Sequence, residues 1–239
     1  MDNHFRSYTI VLLLFFTFQI GNAQEKFSEF ELTGRQNYDS INEYKNLHKE
    51  VYEAFIKMKN AAVKDSIFIE IASGYRSFDR QKLIWNGKYS KYVEAGLSSY
   101  EAVHKIIEYS TIPGTSRHHW GTDIDIYDLN AKKIGNILSE ENYNSGGIYE
   151  RLKIWMDKHS EKFGFELVYT NKKDRKGFKY EPWHYSFKSI SKSMLRDFLK
   201  LDIIAFLKTQ NLEGREVLTN SFIEKYFSEN ILDINPNLR

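Results

Sequence analysis

The stretch SRHHWGTDIDI, Ser116 to Ile126, packs two adjacent histidines, a tryptophan, a glycine and two aspartates into a short run. A single histidine usually means a satisfied core ring, and two alternating aspartates usually mean a solvated face, so the segment needs partners from elsewhere to carry chemistry. Gly121 permits a bend, after which strand alternation puts Thr122, Ile124 and Ile126 on one side and Asp123 and Asp125 on the other. A ring nitrogen from before the bend can then meet a carboxylate from the strand. A second cluster, EPWHY, offers Glu181 and His184. A zinc hydrolase requires three protein ligands, an open coordination position and a base that is not itself a ligand. His118, Asp125 and His184 supply the ligands, which leaves Glu181 as the base.

Composition narrows the alternatives. The chain has no cysteine, which excludes disulfides, thiolate metal sites and cysteine nucleophiles. Any metal must sit on histidine and carboxylate. The formal net charge of +2 gives no reason to expect nucleic acid as a partner. Aromatic residues make up 15% of the chain, a level that fits a ligand cleft and a well-filled core equally and so decides neither. Residues 1–23 combine a short polar start with Arg6, an apolar run from Ile10 to Ile20 and small residues at Gly21 and Ala23. That run is short for a bilayer span and reads as a cleaved export signal. No cysteine follows it, so a thiol-linked lipid anchor is excluded. The expectation is a periplasmic or secreted protein, monomeric and with no stable membrane anchor once the signal is removed.

Several elements must position the candidate residues. Leu47, Val51, Phe55, Met58 and Ala62 form one stripe of a helix over about 41–63. SIFIEIASGYRS alternates as a strand that ends in a glycine turn. Shorter helices are expected at about 79–86 and, behind a Ser98-Ser99 cap, at 100–109, with Pro113-Gly114 marking a loop. Ile148, Leu152, Trp155 and Met156 mark a helix ended near Gly164. FELVYT and FKYEPWHYSF read as strands joined by the basic turn KKDRKG, which should be solvated. The fold class is therefore α+β, with helices flanking a central antiparallel sheet. From about Ser189 the chain turns helical, with Met194, Phe198, Leu201, Ile204 and Leu207 on one pattern and Thr219 capping FIEKYF. We read residues 24–189 as the chemical domain and 190–239 as a C-terminal helical extension that packs on it or meets a partner.

SRHHWGTDID fits the signature S-x-H-x-x-G-x-x-x-D and EPWHY fits E-x-x-H; with the earlier SGYRSFDRQ they resemble, in order, the zinc D-Ala-D-Ala carboxypeptidases, the VanY-like bacterial cell-wall peptidases. The resemblance spans roughly 70–187 and implies the fold of that family, which is related to hedgehog domains. It also implies an exported zinc enzyme acting on peptidoglycan stem peptides, most simply a D,D-carboxypeptidase removing terminal D-Ala. L,D-carboxypeptidase or endopeptidase action would use the same site, and a non-hydrolytic wall-binding module would keep zinc but lose the base. By the resemblance, His118, Asp125 and His184 hold zinc, and Glu181 takes a proton from the attacking water and passes it to the leaving amine. Arg76 stabilises the oxyanion or grips substrate. Gln81 and Ser116 hydrogen-bond the peptide, and Tyr75 is a candidate cleft residue.

One position leaves the family pattern: Asp123 stands where a small residue, commonly Ala, is usual. It has three readings, as an orienter of a ligand histidine, as a contact for a cationic substrate group, or as a solvent-facing carboxylate. His119 is expected to pack or support, not to ligate. Trp120 and Trp183 each fit a cleft wall or the core.

Overall fold

The computed structural model describes residues 27–36, 46–132 and 135–239. The expected export signal lies outside them. Among the described residues no helix is long and apolar enough to cross a membrane.

Four antiparallel strands form one sheet in the order β1-β2-β4-β3: β1 is Ile69–Ser73, β2 Asp123–Asp128, β3 Phe165–Leu167 and β4 His184–Phe187. The helices are α1 Glu29–Leu32, α2 Lys49–Val63, α3 Phe78–Glu94, α4 Ser99–Ile106, α5 Glu150–His159, α6 Lys188–Phe198, α7 Ile203–Thr209 and α8 Asn220–Tyr226. The expected α+β class with its antiparallel sheet is what the chain adopts.

Alternation in the strands separates two kinds of surface. Ile69, Ile124, Ile126, Phe165 and Tyr185 turn to one core, where they meet Val51, Phe55, Met58 and Ala62 of α2 and Leu152 and Met156 of α5. That stripe of α2, spaced to recur every turn or so, is why the segment is a helix: burying each large side chain contributes about 1.5–3 kcal/mol. The residues between them, Asp123, Asp125, His184 and Ser186, belong to the opposite face.

A second core joins distant parts of the chain. Leu32, Trp85, Val103, Ile106, Ile112 and Trp120 pack with Met194, Phe198, Phe206, Ile223, Tyr226, Ile231 and Leu238. The C-terminal segment therefore packs on the rest of the fold and shares its core. It also reaches polar groups: Trp85 Nε1 donates to the Glu213 carbonyl at 2.9 Å, and the Val168 carbonyl accepts from Asn235 N at 2.9 Å. The basic turn is solvated as expected at Lys172, Lys173, Asp174 and Lys176, while its other two residues tie it down. Arg175 donates to the carbonyls of Thr170, Phe178 and Asp233, and the Gly177 backbone lies against Glu229 with no room for a side chain.

Helix ends depart from the expected ones for local reasons. α3 starts at the Ser77 cap and runs through Asn86-Gly87 to Glu94, because Gly87 sits on an open side while Trp85 anchors the helix in the core. The apolar pattern from Met194 to Leu207 splits at Leu199, and Asp202 caps the new helix by accepting from Ala205 N at 3.0 Å. α4 and α8 begin at Ser98 and Thr219 as their capping side chains require.

Candidate metal centre and cleft

Two turns and one strand pairing assemble the centre. Arg117–Trp120 forms a 3-10 turn closed by Gly121 at φ +65°, a left-handed conformation that favours glycine. A Cβ there would stand 3.1 Å from the Asn46 carbonyl as well. The chain then enters β2, whose register with β4 sets Asp125 opposite His184 and Asp123 opposite Ser186. On the far side, the chain turns at Pro182-Trp183 so that His184 N donates to the Glu181 carbonyl at 3.1 Å, bringing both side chains of the E-x-x-H pair to one place.

Hydrogen bonds fix which ring nitrogens are free. The His118 Nδ1–H donates to the Gly74 carbonyl at 2.7 Å, so Nε2 is left bare, 3.3 Å from Asp125 Oδ2. In the metal-binding tautomer, the His184 Nε2–H donates to Asp123 Oδ2 at 3.0 Å, leaving Nδ1 at 3.8 Å from Asp125 Oδ1. Ligand atoms from His118, Asp125 and His184 all lie within 4.8 Å of one another, and all three residues are buried. Asp125 Oδ1 is buried with no hydrogen-bond partner. A buried carboxylate oxygen left without a partner beside the His118 and His184 ring nitrogens is costly unless a cation takes it. Two nitrogens and one oxygen, with a cleft on the remaining side, form a donor set that suits zinc.

The charges agree. Without a metal, burial pushes the His184 imidazole down, but its bonds to Asp123 and Glu181 and the nearby Asp125 outweigh this and raise it to about 10. A proton on His184 thus takes the place of the cation among three carboxylates. Burial alone would raise Asp125, yet His118, His184 and Arg76 hold it below the usual carboxylate range.

Asp123 is fully buried, which answers part of the question its position raises. It accepts from Arg117 Nε at 2.8 Å, Thr122 Oγ1 at 2.8 Å, Ser186 Oγ at 2.6 Å and His184 Nε2 at 3.0 Å. Burial opposes its ionisation, but Arg117 and His184 keep it well below the ordinary range. Neither solvent nor a substrate cation reaches it. Arg117 also donates to Ser186 Oγ at 2.6 Å and lies over the Trp120 ring at 4.7 Å.

A cleft of about 470 Å³ opens over the centre. Arg76, Ser116, His118, Asp125, Glu181 and His184 all line it, so six of the residues predicted from sequence converge. Glu181 Oε2 lies 2.9 Å from His184 Nδ1. Arg76 donates to Gln81 Oε1 and Ser73 Oγ, both at 2.9 Å, and comes within 3.8 Å of Asp125 Oδ2.

Two predicted substrate contacts are placed elsewhere. Gln81 is fully buried behind Arg76, with its amide also donating to Ser110 Oγ and the Thr111 carbonyl, and it does not line the cleft. Tyr75 points its hydroxyl to the carbonyls of Gly34 and Gln36, at 3.4 and 3.3 Å. His119 supports the site as expected: its Nδ1–H donates to the Arg76 carbonyl at 2.6 Å and its Nε2 accepts from Gly114 N at 3.0 Å. Burial holds it neutral, with a pKa lowered to about 3. Gly34, at φ +73°, leaves the space its ring fills. Trp183 walls the cleft, whereas Trp120 is core and donates to the Leu32 carbonyl at 3.1 Å. Arg117, Ser186 and Lys88 were not singled out from sequence. Ser186 was accessible by alternation from His184, and Lys88 by its helical spacing from Gln81.

Comparison with known proteins gives a consistent picture. The family model for VanY, D-alanyl-D-alanine carboxypeptidase, matches residues 44–190. An uncharacterised protein of Haemophilus influenzae is 32% identical over 123 residues, 51% of this chain and 93% of that one. A D-alanyl-D-alanine carboxypeptidase of Enterococcus faecalis is 33% identical over 132 residues, 55% of this chain but only 44% of that longer protein. Among solved structures, VanYB in complex with D-alanine-D-alanine superposes with a TM-score of 0.50 at 25% identity, covering 69% of this chain and 84% of that one.

Proposed function

The chain belongs to the VanY family of D-alanyl-D-alanine carboxypeptidases, and from that premise we propose that it is an exported zinc peptidase that removes the C-terminal D-Ala from peptidoglycan stem peptides. The observation that carries the reading is the convergence of ligand atoms from His118, Asp125 and His184 within 4.8 Å of one another, with Glu181 beside them in the same cleft. Support for the substrate comes from the solved relative that holds D-alanine-D-alanine.

Zinc, when bound by His118, Asp125 and His184, supplies the Lewis acidity that makes water a nucleophile near neutral pH. The chain's own groups do the rest. Glu181 takes the proton from the attacking water as its oxygen bonds to the scissile carbonyl carbon, and gives that proton to the leaving amine as the C–N bond breaks. A base so placed is worth about 10²–10⁴ in rate. Arg76, held rigid by Gln81 and Ser73, presents its guanidinium to the negative charge that develops on the carbonyl oxygen. Ser116 offers a hydroxyl to the peptide. Asp123 orients His184 by accepting its Nε2–H, and Arg117 keeps that carboxylate ionised.

Mass spectrometry of muropeptides digested by the purified protein tests the reading. Loss of one D-Ala from pentapeptides is the expected result. Cleavage of tetrapeptides only, or opening of cross-linked dimers with pentapeptide ends intact, would contradict the D,D-carboxypeptidase assignment, and no cleavage of any wall peptide would contradict hydrolysis altogether.

A further inference from the structure

Two arginines and one lysine line the cleft, and they differ in how they are held. Arg117 is bonded to Asp123 and Ser186, and Arg76 to Gln81 and Ser73. Lys88, on α3, lines the same cleft and has no hydrogen bond or ion pair among the described residues. Its position follows from the helix. Gln81, Ile84 and Lys88 recur at the spacing of one α-helical face, with Gln81 buried at the root of that face and Ile84 and Lys88 on the cleft wall. A lysine side chain on a helix leans back towards the N-terminal turn, and this one is close enough to Glu181 and Arg76 to interact with both charges. The field there is mixed: Glu181 attracts it and Arg76 repels it, while burial, the largest influence, disfavours its charge. An ammonium partly withdrawn from water without a partner of its own costs stability unless something else supplies the anion.

Glu140 and Glu141 also line the cleft. A ligand carboxylate is repelled by these acids and drawn to Lys88, the lining cation that has no partner of its own among the described residues.

We propose that Lys88 is a specificity-determining residue whose ammonium binds a carboxylate of the peptide substrate. The inference rests on the reading of this cleft as a peptidase site. It also fills the place left by Gln81, whose amide is committed to Arg76, Ser110 and Thr111. Two carboxylates on a stem peptide have the required chemistry, the C-terminal one and one on a side chain nearer the sugar.

The experiment uses zinc-loaded Glu181→Gln protein, so that peptides bind without turnover, with and without Lys88→Met. Three pentapeptides are titrated: one unmodified, one amidated at its C-terminus, and one amidated at its side-chain carboxylate. Lys88→Met should weaken binding of the unmodified peptide by about ten- to a hundredfold, the usual worth of a charge-assisted bond. It should leave binding of the C-terminal amide within about twofold, because that peptide has already lost the partner. If the side-chain amide is instead the one insensitive to the substitution, Lys88 reads that internal carboxylate and the proposal stands with its source changed. Lys88→Arg should restore most of the binding. An equal loss for all three peptides, or unchanged binding with an altered pH profile of turnover in the Glu181-intact protein, would overturn the proposal and assign Lys88 to Glu181. The parent reading is judged separately by turnover in the Glu181-intact protein: coupling without cleavage contradicts the peptidase, and cleavage without coupling contradicts only the role of Lys88. Absence of binding by every peptide contradicts both.

Discussion

The polar face of the sheet and the C-terminal helices are both buried, but they are held by different forces. Around Asp123 four donors converge on a single carboxylate, and the centre beside it is a cluster of charges that a cation completes. From Met194 to Leu238 the buried side chains are almost all apolar, with Phe198 stacked on Phe227 at 5.9 Å and set against Trp120 at 5.8 Å. The family model ends at residue 190, so the second region lies outside the segment that defines the family. Yet it is not independent of the chemistry. The Tyr226 hydroxyl accepts from Ile112 N at 3.2 Å and bonds Thr115 Oγ1 at 2.9 Å, bracing the loop that leads into Ser116 and His118. The difference teaches that one region sets what the site does while the other sets how firmly it is held.

Substitutions can break that division or sharpen it. The largest effect should come from Glu181→Gln, which lowers kcat by about a hundred- to ten-thousandfold while zinc content and thermal stability stay close to wild type. Steady-state kinetics beside metal analysis checks this, and activity within a few-fold of wild type would remove Glu181 from the role of base. Phe198→Ala should do the reverse. Emptying that stacked position costs about 3–5 kcal/mol of stability in denaturant unfolding, while zinc stoichiometry of the folded fraction is unchanged. A variant with unaltered stability would show that the C-terminal segment is dispensable packing.

Asp123→Ala probes the seam between the regions. It removes the acceptor for His184 and leaves Arg117 buried without its partner, so zinc affinity should fall by about ten- to a hundredfold in competition with a chelator. Double substitution with Arg117→Met should recover part of the lost stability but not the affinity, because only the stranded charge is relieved. Smallest is Tyr226→Phe, expected to cost about 0.5–1.5 kcal/mol through the two lost hydrogen bonds, with a modest rise in KM if the Ser116 loop loosens.

The same contrast explains what could be read from sequence. The clustering of the candidate ligands was legible because two local rules suffice for it: a glycine bend before a strand puts His118 near Asp125, and alternation puts Asp125 and Asp123 on one face. The i,i+3 spacing in EPWHY likewise brings Glu181 to His184, although through a turn at Pro182-Trp183 and not within the longer strand expected there. Gln81 and Tyr75 lie away from the cleft lining, and motif position does not tell which way a side chain is drawn. Buried acceptors at Ser110 and Thr111 draw Gln81 inward, and the carbonyls of Gly34 and Gln36 draw Tyr75 towards the N-terminal segment. Asp123 stayed ambiguous for a similar reason. Its partners Arg117 and Ser186 are set by the β2–β4 register, a long-range pairing that no local pattern specifies. The helical character of the C-terminal segment was plain from its apolar spacing, but its share in the core with Trp85 and Trp120 depends on contacts across most of the chain.

The central claim is that His118, Asp125 and His184 form one zinc site. Elemental analysis of the purified protein, beside His184→Ala and the cleft variant Glu181→Gln prepared identically, tests it most directly. The account predicts one zinc per molecule in the wild type and in Glu181→Gln, and loss of most of it in His184→Ala. Active wild-type protein without zinc, or full zinc occupancy in His184→Ala, would contradict it.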